Sequence, residues 1–203
     1  MFKNKNFLIT YKIFFALLGF AAIVTEIVAI SERGVFNPGN FFSFFTIQTN
    51  ILVFITFLLS ALVVASGKQK RWVDILRSIT TVYILVVGIG FAILLSGLEN
   101  VALTAVPWDN TVLHYIIPVA VFIDFLIDRP KRKIKLVQSL WWIAYPILYV
   151  VYSLVRGDIV GWYPYPFLNP ATKGFSGVII TVLGLVALGV ILIALVTRIT
   201  KRK

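Results

Sequence analysis

One histidine stands out among the side chains of this sequence that could do chemistry. His114 is the single histidine of the chain, and imidazole is the side chain best suited to act as a general base near neutral pH. Thr46 supplies a hydroxyl at a similar predicted depth in a different apolar segment. A hydroxyl oxygen whose proton is taken by an imidazole can attack a carbonyl carbon, which is the minimum for acyl transfer. Thr46 and His114 are therefore the candidate catalytic pair, and a purely structural hydrogen bond between them is the alternative.

Such a pair needs an acid to orient the imidazole and donors to stabilise the oxyanion. Glu26 and Asp109 are the candidates for orienting the ring. The candidate oxyanion donors are Asn50, Tyr152 and Arg156. All of these groups fall in the same half of the predicted membrane layer, where polar side chains are costly and often functional.

Spacing places several of these polar groups on common helix faces. Thr46, Thr49 and Asn50 follow each other at i, i+3 and i+4, so they share one face of a helix. A second stripe of this kind consists of Tyr145, Tyr149, Tyr152 and Arg156. Hydrogen bonds between helices are the favoured interpretation for Thr49, Asn50 and the tyrosines.

The composition identifies the kind of protein that must hold these residues. The chain has 203 residues, of which 60% are hydrophobic and 13% charged, and its mean hydropathy is +0.96. About 20 apolar residues cross the hydrocarbon layer of a membrane as a helix. Six runs of suitable length predict an all-α, six-helix bundle formed by residues 1–203 as one domain. They are Phe7–Ile30, Phe41–Ser66, Val73–Gly97, Asn110–Ile127, Leu136–Val155 and Phe175–Thr197.

The distribution of basic residues predicts the orientation. Sixteen of the 19 Lys and Arg residues fall at the two termini, in the second and fourth gaps between runs and at the helix ends beside them, Lys12 and Arg77 included. The other three, Arg33, Arg156 and Lys173, fall on the opposite side. This asymmetry predicts cytoplasmic N and C termini in a multi-pass protein of the cell membrane. It also accounts for the net charge of +11 without a nucleic-acid partner.

The residue inventory narrows the chemistry further. The chain contains no cysteine, which excludes disulfides, thiolate nucleophiles and cysteine-based zinc sites. A histidine-rich metal site is excluded because there is one histidine. We therefore expect no metal and no organic cofactor.

A buried charge pair is expected at the cytoplasmic end. Arg77 and Asp124 each lie about one turn inside neighbouring predicted helices, with Asp74, Asp128 and Arg129 at headgroup level. Pairing of opposite charges in this position is typical of helix packing, and a proton relay is the alternative.

Three motifs together carry a resemblance to a known family. They are Phe45-Thr46-Ile47 near the start of the second run, His114 followed by Pro118 in the fourth, and the loop Trp162-Tyr163-Pro164-Tyr165-Pro166-Phe167-Leu168. Over nearly its whole length the chain resembles the androgen-induced gene one family and its bacterial six-helix relatives. The resemblance implies an intramembrane threonine hydrolase of fatty acid esters of hydroxy fatty acids, with Thr46 as nucleophile and His114 as base.

The function expected from the sequence is hydrolysis of a lipid ester in the outer half of the bilayer. The loop containing Trp162, Tyr165, Pro166 and Phe167 would form a lid over the site. The expected partners are membrane lipids and a lipid-like ester substrate, while the oligomeric state is left open. The alternative is a non-enzymatic membrane protein, either a small transporter or a lipid-binding accessory subunit.

Overall fold

The computed structural model describes residues 4–97, 104–131 and 133–200, and the regular elements in that part of the chain are all helical. Six of the helical segments are long and apolar enough to cross a membrane. We label them α1 (Lys5–Glu32), α2 (Phe45–Ser66), α3 (Arg71–Leu94), α4 (Pro107–Ile127), α5 (Leu136–Val160) and α6 (Pro170–Ile199). The prediction of an all-α, six-helix membrane protein is confirmed.

Helix α3 lies at the centre of the bundle and contacts α2, α4 and α6. Helix α1 packs against α2 and α4 on one side. Helix α5 packs on α6, and hydrogen bonds tie it to the chain just before α2. In these bonds Tyr149 Oη donates to the Ser43 carbonyl at 2.9 Å and Arg156 Nη2 donates to Asn40 Oδ1 at 2.7 Å. The packing leaves an apolar cavity between α3, α5 and α6.

The start of α2 differs from the predicted boundary. The sequence pattern places it at Phe41, but the helix begins at Phe45. Asn37 caps a separate short helix, Pro38–Phe41, by accepting a hydrogen bond from the Asn40 N–H at 3.1 Å, as is typical of asparagine before a helix. The chain then turns and starts α2 anew, which places Thr46 in its first turn.

The last two helices are longer than predicted. Helix α5 continues to Val160, where Gly161 adopts the left-handed conformation (φ +68°) that commonly ends a helix. Helix α6 starts at Pro170, because the Asn169 side chain accepts a hydrogen bond from the Ala171 N–H at 2.9 Å. A non-helical backbone at Gly174 (φ 68°) kinks α6 close to its start.

A buried cluster of five charges joins α1, α3 and α4 at the predicted cytoplasmic end. Arg77 Nη2 donates to Asp124 Oδ2 at 2.9 Å, as the sequence predicted. Lys12 from α1 also pairs with Asp124 and, at 3.1 Å, with Asp128 Oδ2. Asp74 Oδ2 accepts from the Lys131 N–H at 3.2 Å. The cluster thus combines three carboxylates with two cations.

This cluster includes two of the basic residues that were counted to predict the orientation of the protein in the membrane. Lys12 is 0% exposed, so this counted charge is an ion-pair partner in the core, a pairing that the sequence analysis did not predict. Arg77 is buried in the same cluster. Five more of the counted residues, Lys3, Arg132, Lys201, Arg202 and Lys203, lie outside the described residues. The cytoplasmic placement of both termini stays a prediction that rests on the remaining surface charges.

Replacing Lys12 by methionine is expected to destabilise the protein strongly. The change leaves three buried carboxylates with one cation, and removing one partner of a buried ion pair costs about 3–5 kcal/mol. We expect a clear fall in the midpoint of thermal unfolding in detergent. The matched control is Lys5→Met in the same helix, since Lys5 is exposed and donates only to the Ala65 carbonyl. Equal midpoints for the two variants would contradict a stabilising role for the cluster.

Candidate active site

Thr46 is held at the N-terminal end of α2. It is the second residue of that helix. Phe44, the residue just before the helix, provides no side-chain cap. The N–H groups of the first helical turn have no partner within the helix and therefore need one from elsewhere. The start of α2 thus presents, at the same place, a hydroxyl and a backbone donor that needs a partner from outside the helix.

His114 lies in an irregular turn of α4. Residues Val112–Ile116 form a π-helical turn, closed by a hydrogen bond from the Ile117 N–H to the Val112 carbonyl. Pro118 follows and lacks the N–H that a regular helix would direct at His114. Gly88 of α3 lets this turn come close, because a Cβ atom there would lie 2.9 Å from Pro118 Cβ and 3.2 Å from the His114 carbonyl oxygen. The imidazole stacks on the Phe91 ring at a centroid distance of 4.0 Å.

The structure brings Thr46 and His114 into contact. Thr46 Oγ1 lies 3.3 Å from His114 Nε2, and His114 Nδ1 lies 3.0 Å from the Asn110 carbonyl oxygen. A carbonyl oxygen only accepts hydrogen bonds, so Nδ1 carries the ring proton and Nε2 of the neutral imidazole accepts. Thr46 therefore donates its hydroxyl proton towards His114, which is the arrangement of a nucleophile and its general base.

Tyr165 completes the hydrogen bonding around Thr46. Its hydroxyl lies 3.1 Å from the Thr46 amide nitrogen and 3.1 Å from Thr46 Oγ1. The tyrosine oxygen accepts from the amide, and because Thr46 gives its single hydroxyl proton to His114, Tyr165 is the donor in its contact with Thr46 Oγ1. Burial raises the pKa of Tyr165 above its ordinary value, which keeps the hydroxyl protonated and able to donate. The sequence placed Tyr165 in a lid loop but did not indicate this contact.

The four residues predicted to form a lid lie in different places, and two of them, Tyr165 and Phe167, line the cavity. Tyr165 stacks on Phe167 at a centroid distance of 5.0 Å, and both line the cavity. Pro166 begins a short 3-10 turn, Pro166–Leu168, that closes the loop. Trp162 packs instead against Phe44, at a centroid distance of 5.5 Å, and lies outside the cavity lining.

The cavity beneath this loop is narrow, with a volume of about 90 Å³. On α3 its lining runs from Val82 to Leu95, which corresponds to about 20 Å along a helix. Thr46, His114 and Tyr165 lie at the loop end of it. The rest of the lining is mainly apolar and includes Val86, Val87, Pro146, Val150, Val182, Leu185 and Ile193.

The predicted orienting acids lie elsewhere. Glu26 accepts two hydrogen bonds from the Ala105 N–H, at 2.8 and 2.9 Å. Asp109 is fully buried next to Glu26 and does not contact His114 in any of the described hydrogen bonds. The Asn110 carbonyl takes the orienting role, which a search for carboxylates in the sequence could not find because it is a backbone group.

Of the three predicted oxyanion donors, Asn50 is the one that bonds to the backbone next to the Thr46–His114 pair. Its Nδ2 donates to the Thr46 carbonyl at 2.9 Å and to the Leu113 carbonyl at 3.4 Å, and so links α2 to α4. Tyr152 lies 3.0 Å from Ser43 Oγ, and Arg156 bonds Asn40 and stacks on Trp162. Thr49 is buried without a hydrogen bond in the described part of the chain. Tyr152 and Arg156 thus bond to the segment before α2 and not to Thr46 or His114.

A search for a metal site and comparisons with known proteins also bear on the site. Among residues 4–97, 104–131 and 133–200, no group of three histidine or acidic side chains is arranged to hold a metal ion. No protein-family model, curated protein or solved structure matches the chain. What is known of the site is therefore its own geometry, a buried Thr46–His114–Tyr165 cluster at the end of an apolar cavity.

Proposed function

We propose that the protein is an intramembrane hydrolase of lipid esters with Thr46 as nucleophile. The observation that carries the proposal is the Thr46 Oγ1–His114 Nε2 contact of 3.3 Å, in which the imidazole is held in the accepting tautomer. Contacts of this length are common in active sites that tighten when substrate binds. The resemblance to the androgen-induced gene one family supports the same roles for the same two residues.

In the first half of the proposed reaction, His114 Nε2 takes the hydroxyl proton while Thr46 Oγ1 attacks the ester carbonyl carbon. The negative charge that develops on the carbonyl oxygen is stabilised by the Thr46 amide N–H and the Tyr165 hydroxyl. The amide donates to the tyrosine oxygen in the structure, and that oxygen lies 3.1 Å from Oγ1, so both donors are next to the attacking atom. His114 then gives its proton to the leaving alkoxide, and an acyl-threonine remains.

In the second half, water attacks the acyl-threonine. His114 accepts a proton from the water molecule and returns it to Thr46 Oγ1 when the carboxylic acid leaves. Both halves use the same base and the same donors, as in the serine hydrolase template. The Asn110 carbonyl holds the imidazole in place throughout, because its hydrogen bond to Nδ1 does not change.

The cavity favours a fatty acyl group as the substrate portion that is bound. Its narrow, mainly apolar lining suits a hydrocarbon chain, and Thr46, His114 and Tyr165 are among the lining residues, at the end where an ester carbonyl would lie. The same lining disfavours passage of a polar solute, so the transporter alternative receives less support than a hydrolase.

The proposal is tested by reaction of the detergent-solubilised wild-type protein with an alkyl fluorophosphonate. We expect a covalent adduct on the peptide that contains Thr46, identified by mass spectrometry, and its suppression by a long-chain fatty acid ester. Absence of an adduct on folded protein would contradict the proposal and favour the non-enzymatic alternatives. An adduct at a different residue would contradict the assignment of Thr46.

A further inference from the structure

A second pocket lies at the end of the bundle that the charge pattern predicts to be cytoplasmic. It has a volume of about 270 Å³ and is formed by the α4–α5 loop, the start of α5 and the end of α6. We call it the basic pocket. Its residues are three cations, two threonines and three apolar side chains: Lys133, Lys135, Arg198, Thr197, Thr200, Ile134, Leu136 and Ala194.

The loop that carries two of the cations is fixed to α6. The Ile134 N–H donates to Thr200 Oγ1 at 3.2 Å, and Thr200 Oγ1 donates to the Thr197 carbonyl at 2.7 Å. Lys133 and Lys135, on either side of Ile134, are thereby held against the last turn of α6, where Arg198 lies. The three cations are thus part of one surface although 65 residues separate the first from the last.

No carboxylate in the described part of the chain balances the positive charge of this pocket. Within the described ranges, Lys133, Lys135 and Arg198 take part in none of the ion pairs. The acidic side chains described at this end of the bundle are Asp74, Asp124 and Asp128. They are occupied with Arg77 and Lys12 in the buried cluster. Three cations that face one pocket therefore favour an anionic ligand.

We propose that the basic pocket binds the phosphate group of an anionic phospholipid from the adjacent leaflet. Leu136 begins the membrane-spanning part of α5 and Ala194 lies little more than one turn before the end of α6, so the pocket is at headgroup depth. Its apolar members continue towards the hydrocarbon layer, where the acyl chains of a bound lipid would lie. Basic pockets between helices on the cytoplasmic side of membrane proteins recognise anionic headgroups in this way.

The test is a thermal unfolding titration of the full chain in an uncharged detergent. Phosphatidylglycerol is added to the wild type and to the triple variant Lys133→Gln/Lys135→Gln/Arg198→Gln. We expect the lipid to raise the unfolding midpoint of the wild type. The triple variant should need about tenfold more lipid, or still more, for the same rise, because each cation near an anionic surface contributes on the order of 1 kcal/mol.

The matched control is Lys68→Gln/Lys70→Gln/Arg71→Gln, which removes the same charge from the α2–α3 connection on the same predicted side. It should respond to phosphatidylglycerol like the wild type, and phosphatidylcholine should shift none of the three proteins. Equal responses of the two triple variants would overturn the proposal in favour of general surface attraction. A midpoint shift of the wild type with inorganic phosphate alone would overturn the assignment to a lipid.

Discussion

Replacement of Thr46 or His114 by alanine is expected to abolish fluorophosphonate labelling and ester hydrolysis while the protein stays folded. Thr46→Ala removes the attacking oxygen, so no adduct can form at that position. His114→Ala leaves the hydroxyl without its base, and loss of general-base catalysis lowers rates by about 10²–10⁴-fold. The measurement is the rate of probe incorporation at equal protein concentration, together with the midpoint of thermal unfolding.

The chain offers a close control for the threonine. Thr49 is in the same helix, three residues further on, and its buried hydroxyl has no hydrogen bond within the described residues. Thr49→Ala should label at the wild-type rate. Thr46→Ser, which keeps a hydroxyl, should also remain reactive. Full hydrolysis by folded Thr46→Ala or His114→Ala would show that the roles are assigned wrongly.

Tyr165→Phe is the second change with a large expected effect. The substitution keeps the ring and its stacking on Phe167 but removes the hydroxyl that lies 3.1 Å from both Thr46 Oγ1 and the Thr46 amide nitrogen. Loss of one oxyanion donor costs about 10²–10³-fold in kcat. We expect this loss in kcat for a chromogenic fatty acid ester and little change in KM, because the hydroxyl acts on the transition state rather than on the acyl chain.

Tyr11→Phe controls for the loss of a tyrosine hydrogen bond in general. Tyr11 Oη donates to the Ala120 carbonyl at 2.9 Å, between α1 and α4 and outside the cavity lining. Its kcat should match that of the wild type. If Tyr165→Phe retained wild-type kcat with the same unfolding midpoint, the hydroxyl would have no part in the reaction, whereas labelling of Thr46 would still support a hydrolase. The role of the Tyr165 hydroxyl and the assignment of the protein as a hydrolase can therefore be refuted separately.

The sequence was sufficient for the six helices because each one is a long apolar run, and hydropathy depends on composition rather than on packing. It was also sufficient to name Thr46 and His114 as a candidate pair, since the chain has a single imidazole and Thr46 is a hydroxyl at a similar predicted depth. It could not show how His114 is oriented. The partner is the Asn110 carbonyl, and a π-helical turn sets the angle of the ring, so both depend on backbone geometry.

Contacts between side chains that are far apart in the sequence were also not predicted. Tyr165 was assigned to a loop by its prolines and aromatic neighbours, but its contact with Thr46 spans 119 positions of the chain. Lys12 was counted with the basic residues of the N-terminal side, and its pairing with Asp124 spans 112 positions. Helical periodicity reports the face of a residue within one helix and carries no information about which other helix meets that face.

The pairing of Lys12 with Asp124 has a consequence for biogenesis. A ribosome delivers α1 to the membrane well before α4, so the ammonium group of Lys12 enters the insertion machinery without its carboxylate. A lone lysine in a transmembrane helix opposes insertion by up to about 3.5 kcal/mol at the centre and by less near the ends. Lys12 lies two turns from the start of α1, so it bears part of this cost until α4 supplies the carboxylate of Asp124. Final seating of the first helix is thus coupled to synthesis of the fourth.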